Sequence, residues 1–193
     1  MKRFGWVAAL LALGVAGVAF AAAETTPAVQ FLGAGKCKAC HMYAKKGAQY
    51  KVWSESKHAQ AFAVLASPKA LEIAKAKGVA DPQKAAECLQ CHVTGYGEKA
   101  DHFAASFSES LGVQCESCHG AGSSYYKRTV MIDARAHKID PASVGLQMPT
   151  KETCAHCHNE KGTSGKFVDW PADSAKIAHP IPPGAEAADE AKE

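Results

Sequence analysis

Cys115-Glu116-Ser117-Cys118-His119 lies in the second half of the chain, and the pattern of this pentapeptide occurs four times in all. The other three copies are Cys37-Lys38-Ala39-Cys40-His41, Cys88-Leu89-Gln90-Cys91-His92 and Cys154-Ala155-His156-Cys157-His158. All eight cysteines of the 193-residue chain fall in these motifs, and a histidine follows each pair at once. C-x-x-C-H is the attachment signature of c-type haem.

The spacing within the motif matches the chemistry of covalent haem attachment. Two thiols separated by two residues span one edge of the porphyrin and add to its vinyl groups, and the adjacent histidine ligates the iron from the proximal side. We therefore predict four covalently bound haem c groups. They would be held by Cys37, Cys40, Cys88, Cys91, Cys115, Cys118, Cys154 and Cys157, with His41, His92, His119 and His158 as proximal ligands of iron.

Three other interpretations of the cysteine pairs fit the pattern less well. Zinc needs four ligands per ion, and it gives no reason for a histidine after every pair. Thiol redox motifs occur singly beside a βαβ pattern, which this sequence lacks. Disulfides within such short loops would stabilise a fold little, because stabilisation grows with the size of the closed loop.

Composition and charge exclude other classes of protein. Hydrophobic residues make up 47% of the chain and charged residues 21%, as in ordinary soluble proteins. The formal net charge of +3 lacks the concentrated basic surplus of an electrostatically driven nucleic-acid binder, so no nucleic-acid partner is expected. The balance of charges also argues against an acidic disordered chain.

Residues 1–23 have the pattern of a secretory signal peptide, with Lys2 and Arg3 followed by the apolar run Phe4–Phe20 and small residues for cleavage. A retained membrane anchor is the alternative, but 17 apolar residues are fewer than the roughly 20 that span a bilayer. We expect a periplasmic or extracellular protein with no stable membrane insertion after signal removal. One tetrahaem cytochrome c domain is expected at 24–180, and a flexible tail at 181–193.

Four porphyrins in a chain of this size would form much of its core. The predicted fold is therefore mainly α and packed around haem, with short helices, long loops and little or no β structure. Apolar periodicity predicts a helix over about 45–66, and Pro68 then opens a second helix that ends at Gly78. A third helix is predicted from Ser123 to about Ala136. Short helices are also expected to carry the attachment motifs.

The sixth ligand of each iron decides what the site does. An iron with two histidines is closed and suits electron transfer, whereas an open face binds small molecules. Five histidines remain outside the proximal positions: His58, His102, His137, His156 and His179.

Four of these histidines are candidate distal ligands. His58 lies on the predicted apolar helix and His179 lies late in the chain, and both are expected to ligate iron. His137 and His102 are further candidates, for which a solvated side chain is the alternative. His156 lies inside an attachment loop and is expected at the surface. Two methionines are alternative ligands, Met131 and Met148.

Further stretches of the sequence resemble the tetrahaem cytochrome c-554 family. They are Phe31-Leu32-Gly33, Trp53 with Ser56-Lys57-His58-Ala59, Cys91-His92-Val93-Thr94-Gly95-Tyr96-Gly97, and Gly112-Val113-Gln114-Cys115-Glu116-Ser117-Cys118-His119-Gly120-Ala121-Gly122. The resemblance covers residues 29–122, and the run through the third motif is its most specific part. It implies a mainly helical fold with stacked haem pairs and exported electron transfer.

The resemblance also implies a set of distal ligands. The implied pairs are His58 with the haem of His119, His137 with the haem of His158, and His179 with the haem of His41. By analogy with the founding member, the haem of His92 would lack a sixth ligand. The sequence departs from the family pattern at His102, which would close that site.

These features predict a protein that transfers electrons between redox partner proteins, and not an enzyme. Two alternatives stay open. One is a reductase of small nitrogen or oxygen species at a single five-coordinate haem. The other is a subunit of an extracellular conducting filament, or another homo-oligomer, since related small tetrahaem proteins stack in this way.

Overall fold

Short α-helices joined by long loops form the part of the chain that the computed structural model describes, residues 28–162, 168–170 and 172–179. The α-helices are α1 Ala34–His41, α2 Gln49–Ser54, α3 Pro68–Ala76, α4 Ala86–His92, α5 Glu116–His119, α6 Arg128–Arg135 and α7 Lys151–Ala155. Turns of 3-10 helix lie at Ala44–Lys46, Ala63–Ala66, Ala100–His102, Glu109–Leu111, Gly122–Ser124, Pro141–Val144 and Ser174–Lys176. The predicted signal peptide at 1–23 and the tail at 181–193 lie outside the described residues.

The mainly α fold is confirmed. Within the described ranges, β structure is limited to one isolated parallel bridge between Phe31 and Phe103. None of the helices in these ranges has the length and apolar character that a membrane span requires.

The single helix predicted over 45–66 is wrong, because this stretch contains α2 and two 3-10 turns separated by irregular chain. Gly47 and Ala48 have φ angles of 97° and 49°, which end any helix before α2. After α2, the His58 carbonyl accepts a hydrogen bond from Val113 N at 3.0 Å. In a continuous helix, the His58 carbonyl would accept from the N–H group four residues later. Here it accepts from a distant segment of the chain instead.

The second predicted helix is confirmed as α3. The Ser67 side chain accepts a hydrogen bond from Ala70 N at 3.2 Å and caps the helix, and Pro68 takes the first position. Gly78 follows the helix with a φ of 72°. The third predicted helix is shorter than expected, since α6 begins at Arg128 and the residues before it form a separate 3-10 turn.

A buried carboxylate joins the N-terminal segment to the third motif. Glu116 is only 3% exposed, and its Oε1 accepts hydrogen bonds from Leu32 N and Gly122 N, both at 2.7 Å. Its Oε2 accepts from Gly33 N at 2.7 Å. One side chain therefore connects three segments of main chain, the start of α1, the start of α5 and the loop that follows α5.

Gln114 and Thr94 extend this network of buried polar groups. Gln114 Oε1 accepts a hydrogen bond from Ala34 N at 2.8 Å, and Gln114 Nε2 donates to Ser108 O at 2.9 Å. Gln114 N donates to Thr94 Oγ1 at 2.7 Å. Because Thr94 follows α4, the same network also connects the second motif to the third.

Buried apolar residues are few. Ten hydrophobic residues are buried in the described part of the chain, and three of them, Leu65, Leu89 and Val93, pack together as a cluster. A chain of this size usually buries a larger continuous core. The packing therefore agrees with a fold that a large apolar cofactor completes.

Gly112 should be intolerant of a side chain. Its φ is 71°, and a Cβ there would lie 2.7 Å from His58 O and 3.1 Å from Ala61 N, both main-chain atoms. Gly112→Ala is expected to destabilise the fold by more than about 2 kcal/mol and to lower the thermal unfolding midpoint of the mature protein.

Gly78→Ala is the matched control, because Gly78 has a φ of 72° and nothing within 4 Å of its added Cβ. It should lower the midpoint by less than Gly112→Ala. Equal losses in the two variants would mean that backbone strain alone, without the close approach to the His58 segment, accounts for the effect.

Candidate functional site

Each attachment motif lies on a helix or at its end, as the sequence predicts. Helices α1, α4 and α5 end at His41, His92 and His119. Helix α7 includes Cys154, and His158 N then donates to Cys154 O at 2.9 Å, so the helical turn continues to the histidine. In a helix, residues four apart share a face, which places the first cysteine and the histidine of each motif on the same side.

The thiols of different motifs lie next to one another. All eight cysteines are free of disulfides. Electrostatic interactions between cysteine side chains connect the motifs in three pairs: Cys37 with Cys115, Cys91 with Cys157, and Cys118 with Cys154. The motifs therefore meet in the order first, third, fourth, second, and not in their order along the chain.

The surroundings of these thiols are apolar. Burial raises the pKa of Cys118 to about 11, with smaller contributions from Cys154 and Cys115. Burial also raises the pKa of Cys157 to about 12. Such thiols are protonated at neutral pH, which makes them poor partners for disulfide exchange and suits them to contact an apolar ring edge.

Two pairs of histidine rings have the separation that axial ligation of one iron requires. The ring centroids of His58 and His158 lie 6.0 Å apart, and those of His119 and His179 lie 5.8 Å apart. Two imidazoles bound to one metal through bonds of about 2 Å have centroids about 6 Å apart. The two ring planes are 79° apart in the first pair and 49° apart in the second.

Main-chain contacts position the candidate ligand His58. Trp53 Nε1 donates to Val113 O at 2.8 Å, and Val113 N donates to His58 O at 3.0 Å. These bonds fasten the segment after α2 to the residues just before the third motif. Since Trp53 is buried, the attachment is shielded from water.

Several of these imidazoles are held in the neutral form that ligates metal. Burial lowers the pKa of His41, His58 and His119. The charge of His158 lowers the pKa of His58 further, and that of His179 lowers the pKa values of His41 and His119. His41, His119 and His179 thus form one electrostatic cluster, and His58 forms another with His158.

Hydrogen bonds at Nδ1 orient the rings of two motif histidines. His92 Nδ1 donates to Ala61 O at 2.5 Å, and His119 Nδ1 donates to Gln147 O at 2.9 Å. A carbonyl only accepts, so the proton is on Nδ1 in both rings and Nε2 keeps its lone pair. Proximal ligands of metals are commonly fixed in this way.

The observed neighbours differ from the pairs that the family resemblance implies. His58 contacts the ring of His158, where the resemblance pairs it with the haem of His119. His179 contacts the ring of His119 and also acts on His41, the partner that the resemblance implies. These are contacts between rings, and the pairing of each distal histidine with a haem stays a prediction.

The other candidate ligands have different surroundings. His102 Nδ1 lies 2.8 Å from Glu98 Oε2. His137 is exposed and has a φ of 54° just after α6. Within the described residues, neither ring contacts another histidine. His156 is exposed, and Met148 is 76% exposed. The assignments of His102 and His137 as ligands therefore stay predictions.

Sequence reasoning missed the role of Glu116. It occupies a variable position inside the third C-x-x-C-H, where a charged residue is expected to face solvent. The only signal was the family stretch around it, which gives no role to the side chain. Gln114 and Thr94 were missed for the same reason, because polar residues are predicted as buried only when their partners are known.

The residues present fit a covalently attached porphyrin at each motif. Free thiols lie at the required spacing, each histidine of a motif lies on the same side as its first cysteine, and Nε2 is available in the two rings whose Nδ1 partner is known. The small apolar core leaves room for a large apolar group. The cysteines and the last histidine of each motif, from Cys37 to His158, would hold these groups.

Comparison with known proteins gives two matches. The family described as "Cytochrome c554 and c-prime" matches residues 36–120. Cytochrome c-554 of Nitrosomonas europaea is 33% identical over 154 residues, which cover 73% of this chain and 63% of the relative. The chain thus spans less than two thirds of the length of that relative. No solved structure matches the chain significantly.

Removal of His58 should open one iron. His58→Ala is expected to convert one haem of the mature protein from low-spin to high-spin ferric iron, because it removes one of two imidazoles about 6 Å apart. Low-temperature electron paramagnetic resonance counts the two spin states.

His156→Ala is the matched control, since His156 is exposed and lies within the fourth motif. It should leave the spin count unchanged. An unchanged spectrum for His58→Ala would show that this ring is a packing residue and not an axial ligand.

Proposed function

Because this chain belongs to the cytochrome c-554 family, we propose that it carries electrons between redox proteins through four covalently bound haem c groups. Haem iron supplies reversible uptake and release of one electron. The observation that carries the proposal is the contact order of the four motifs, which makes a continuous series from the first to the second through the third and fourth.

The chain contributes attachment, ligation and burial. The eight cysteines would hold the four groups, and His41, His92, His119 and His158 would be their proximal ligands. The rings of His58 and His179 lie about 6 Å from those of His158 and His119, which supports mostly bis-histidine iron. Two histidines close an iron to substrates, so this arrangement favours electron transfer over catalysis.

The first motif lies at one end of the contact series and carries a basic surface. Between Gly33 and Ser54 the chain has no aspartate or glutamate and five lysines, Lys36, Lys38, Lys45, Lys46 and Lys51. At the edge of this stretch, Lys51 Nζ lies 3.9 Å from Glu55 Oε1. Helices α1 and α2 pack together, so these lysines share one region. We call this region the lysine face.

The lysine face also has an apolar centre. Met42 is 40% exposed and Tyr43 is 57% exposed, and both directly follow the motif. Cys40 is exposed, so the attachment edge of the first motif reaches the surface here. Apolar contacts surrounded by charge are typical of electron-transfer interfaces, which are small and transient.

The lysine face fits an acidic redox partner. Complementary charge raises the rate of encounter and orients the two proteins before contact. The proposal therefore places electron exchange at the first motif, with a protein whose surface carries carboxylates beside its own cofactor. The exported location is proposed from residues 1–23, which have the composition of a secretory signal.

Neutralising the lysine face should slow electron exchange with an acidic protein. The triple variant Lys36→Gln, Lys38→Gln, Lys45→Gln is expected to lower the second-order rate with an acidic ferredoxin about tenfold at low salt, and to weaken its salt dependence. Stopped-flow absorbance measures both.

The matched control is Lys69→Gln, Lys75→Gln, Lys99→Gln, which removes the same charge from exposed lysines elsewhere. It should keep most of the parent rate. If the control slows exchange as much as the first variant, net charge steers the encounter and the lysine face has no special role. A parent chain that takes up no electrons from any protein donor would contradict the proposed function itself.

One observation favours a second candidate function. Within the described residues, the ring of His92 contacts no other histidine ring, and its recorded partner is the Ala61 carbonyl. The nearest candidate in the sequence, His102, is bonded to Glu98. An iron with only His92 would be five-coordinate and able to bind a small nitrogen or oxygen species.

Carbon monoxide tests this second candidate. If the His92 site is open, one haem in four should bind carbon monoxide in the reduced protein, and a high-spin ferric signal of the same stoichiometry should appear in the oxidised protein. A uniformly low-spin protein that binds no carbon monoxide would exclude a reductase and leave the carrier.

A further inference from the structure

Glu116 places a negative charge where the first and third motifs meet. The side chain follows Cys115 directly and is 3% exposed. Its oxygens bond to Leu32 N and Gly33 N, just before the helix that carries the first motif. Burial raises the pKa of Tyr125, and the Glu116 charge raises it further. The carboxylate therefore lies close to both motifs.

Neutral groups hold this charge in place. The three recorded donors to Glu116 are the main-chain N–H groups of Leu32, Gly33 and Gly122, each at 2.7 Å. These N–H groups are neutral, so they satisfy the oxygens without supplying an opposite charge. In a buried site the effective dielectric constant is low, so this charge acts strongly on anything bound nearby.

The second motif offers a comparison. Glu87 directly precedes Cys88, and its charge also raises the pKa of that thiol, after burial as the larger cause. Glu87 is exposed, however, and water and salt screen an exposed carboxylate. The two motifs thus carry the same type of charge beside a cysteine, buried in one and solvated in the other.

We propose that Glu116 lowers the reduction potentials of the haems held by the first and third motifs. Ferric haem carries one more positive charge than ferrous haem, so a buried carboxylate stabilises the oxidised form. The proposal rests on the proposed function. The proposal also gives a direction to electron transfer along the four motifs. Lower potentials at the first and third motifs favour net movement of electrons toward the fourth and second.

Two substitutions of Glu116 change the charge and the hydrogen bonds to different extents. Glu116→Gln keeps the size and removes the charge together with one acceptor oxygen, whereas Glu116→Asp keeps the charge and disturbs the three hydrogen bonds. Glu87→Gln makes the same charge change beside another attachment cysteine at an exposed position.

Spectroelectrochemical titration of the mature variants tests the proposal. With Glu116→Gln, two of the four reduction steps should move to more positive potential and the other two should move much less. Glu116→Asp should keep the parent potentials even if it lowers the thermal midpoint, and Glu87→Gln should shift the potentials little. Equal shifts in Glu116→Gln and Glu116→Asp, or no shift in Glu116→Gln, would overturn the proposal.

Intact mass of each variant establishes its haem content before titration. If Glu116→Gln does not mature with its full haem complement, Glu116→Met replaces it, because methionine is neutral and of similar length and should move the same two steps to more positive potential. A negative or absent shift would then overturn the proposal. A parent protein without reversible reduction steps would instead contradict the proposed function, so the two failures are distinguishable.

Discussion

The carboxylate of Glu116 and its three main-chain donors are the interaction on which the rest of the structure depends. Hydrogen bonds to a charged acceptor contribute about 1.5–3 kcal/mol each, more than most single contacts in so small a core. They fix the start of α1 against the start of α5 and the loop beyond it. The first and third motifs consequently face each other, and the contact series of all four motifs begins from that pair.

Buried polar groups connect segments of this chain that share few apolar contacts. Only ten hydrophobic residues are buried in the described ranges, which agrees with a fold that attached haem completes. Gln114, Thr94 and the bonds between the Trp53–His58 segment and Val113 hold loops that have few apolar contacts of their own. The same bonds that hold the loops also position candidate ligands, so stability and ligation depend on the same residues.

Local features of this protein could be predicted from the sequence, and long-range ones could not. The four motifs, their short helices and α3 with its Ser67 cap follow from spacing and capping rules that involve neighbouring residues only. The break of the helix predicted over 45–66 depends on Val113, which is far away in sequence. The spatial order of the motifs depends on thiol contacts between segments, and no pattern along the chain encodes it. For the same reason, the family pattern alone did not predict that the ring of His58 lies beside that of His158.

The choice of glutamate at 116 and glutamine at 114 follows from the partners of each side chain. Gln114 meets one donor, Ala34 N, and one acceptor, Ser108 O, which an amide matches atom for atom. Glu116 meets three N–H donors and no acceptor among its recorded bonds, and only a group without hydrogens on either oxygen satisfies them all. The neutral side chain of the same size would turn an NH₂ group toward a main-chain N–H. The hydrogen bonds that assemble the fold therefore favour a carboxylate beside the first and third motifs, and the proposed effect on haem potentials would follow from how the chain is held together.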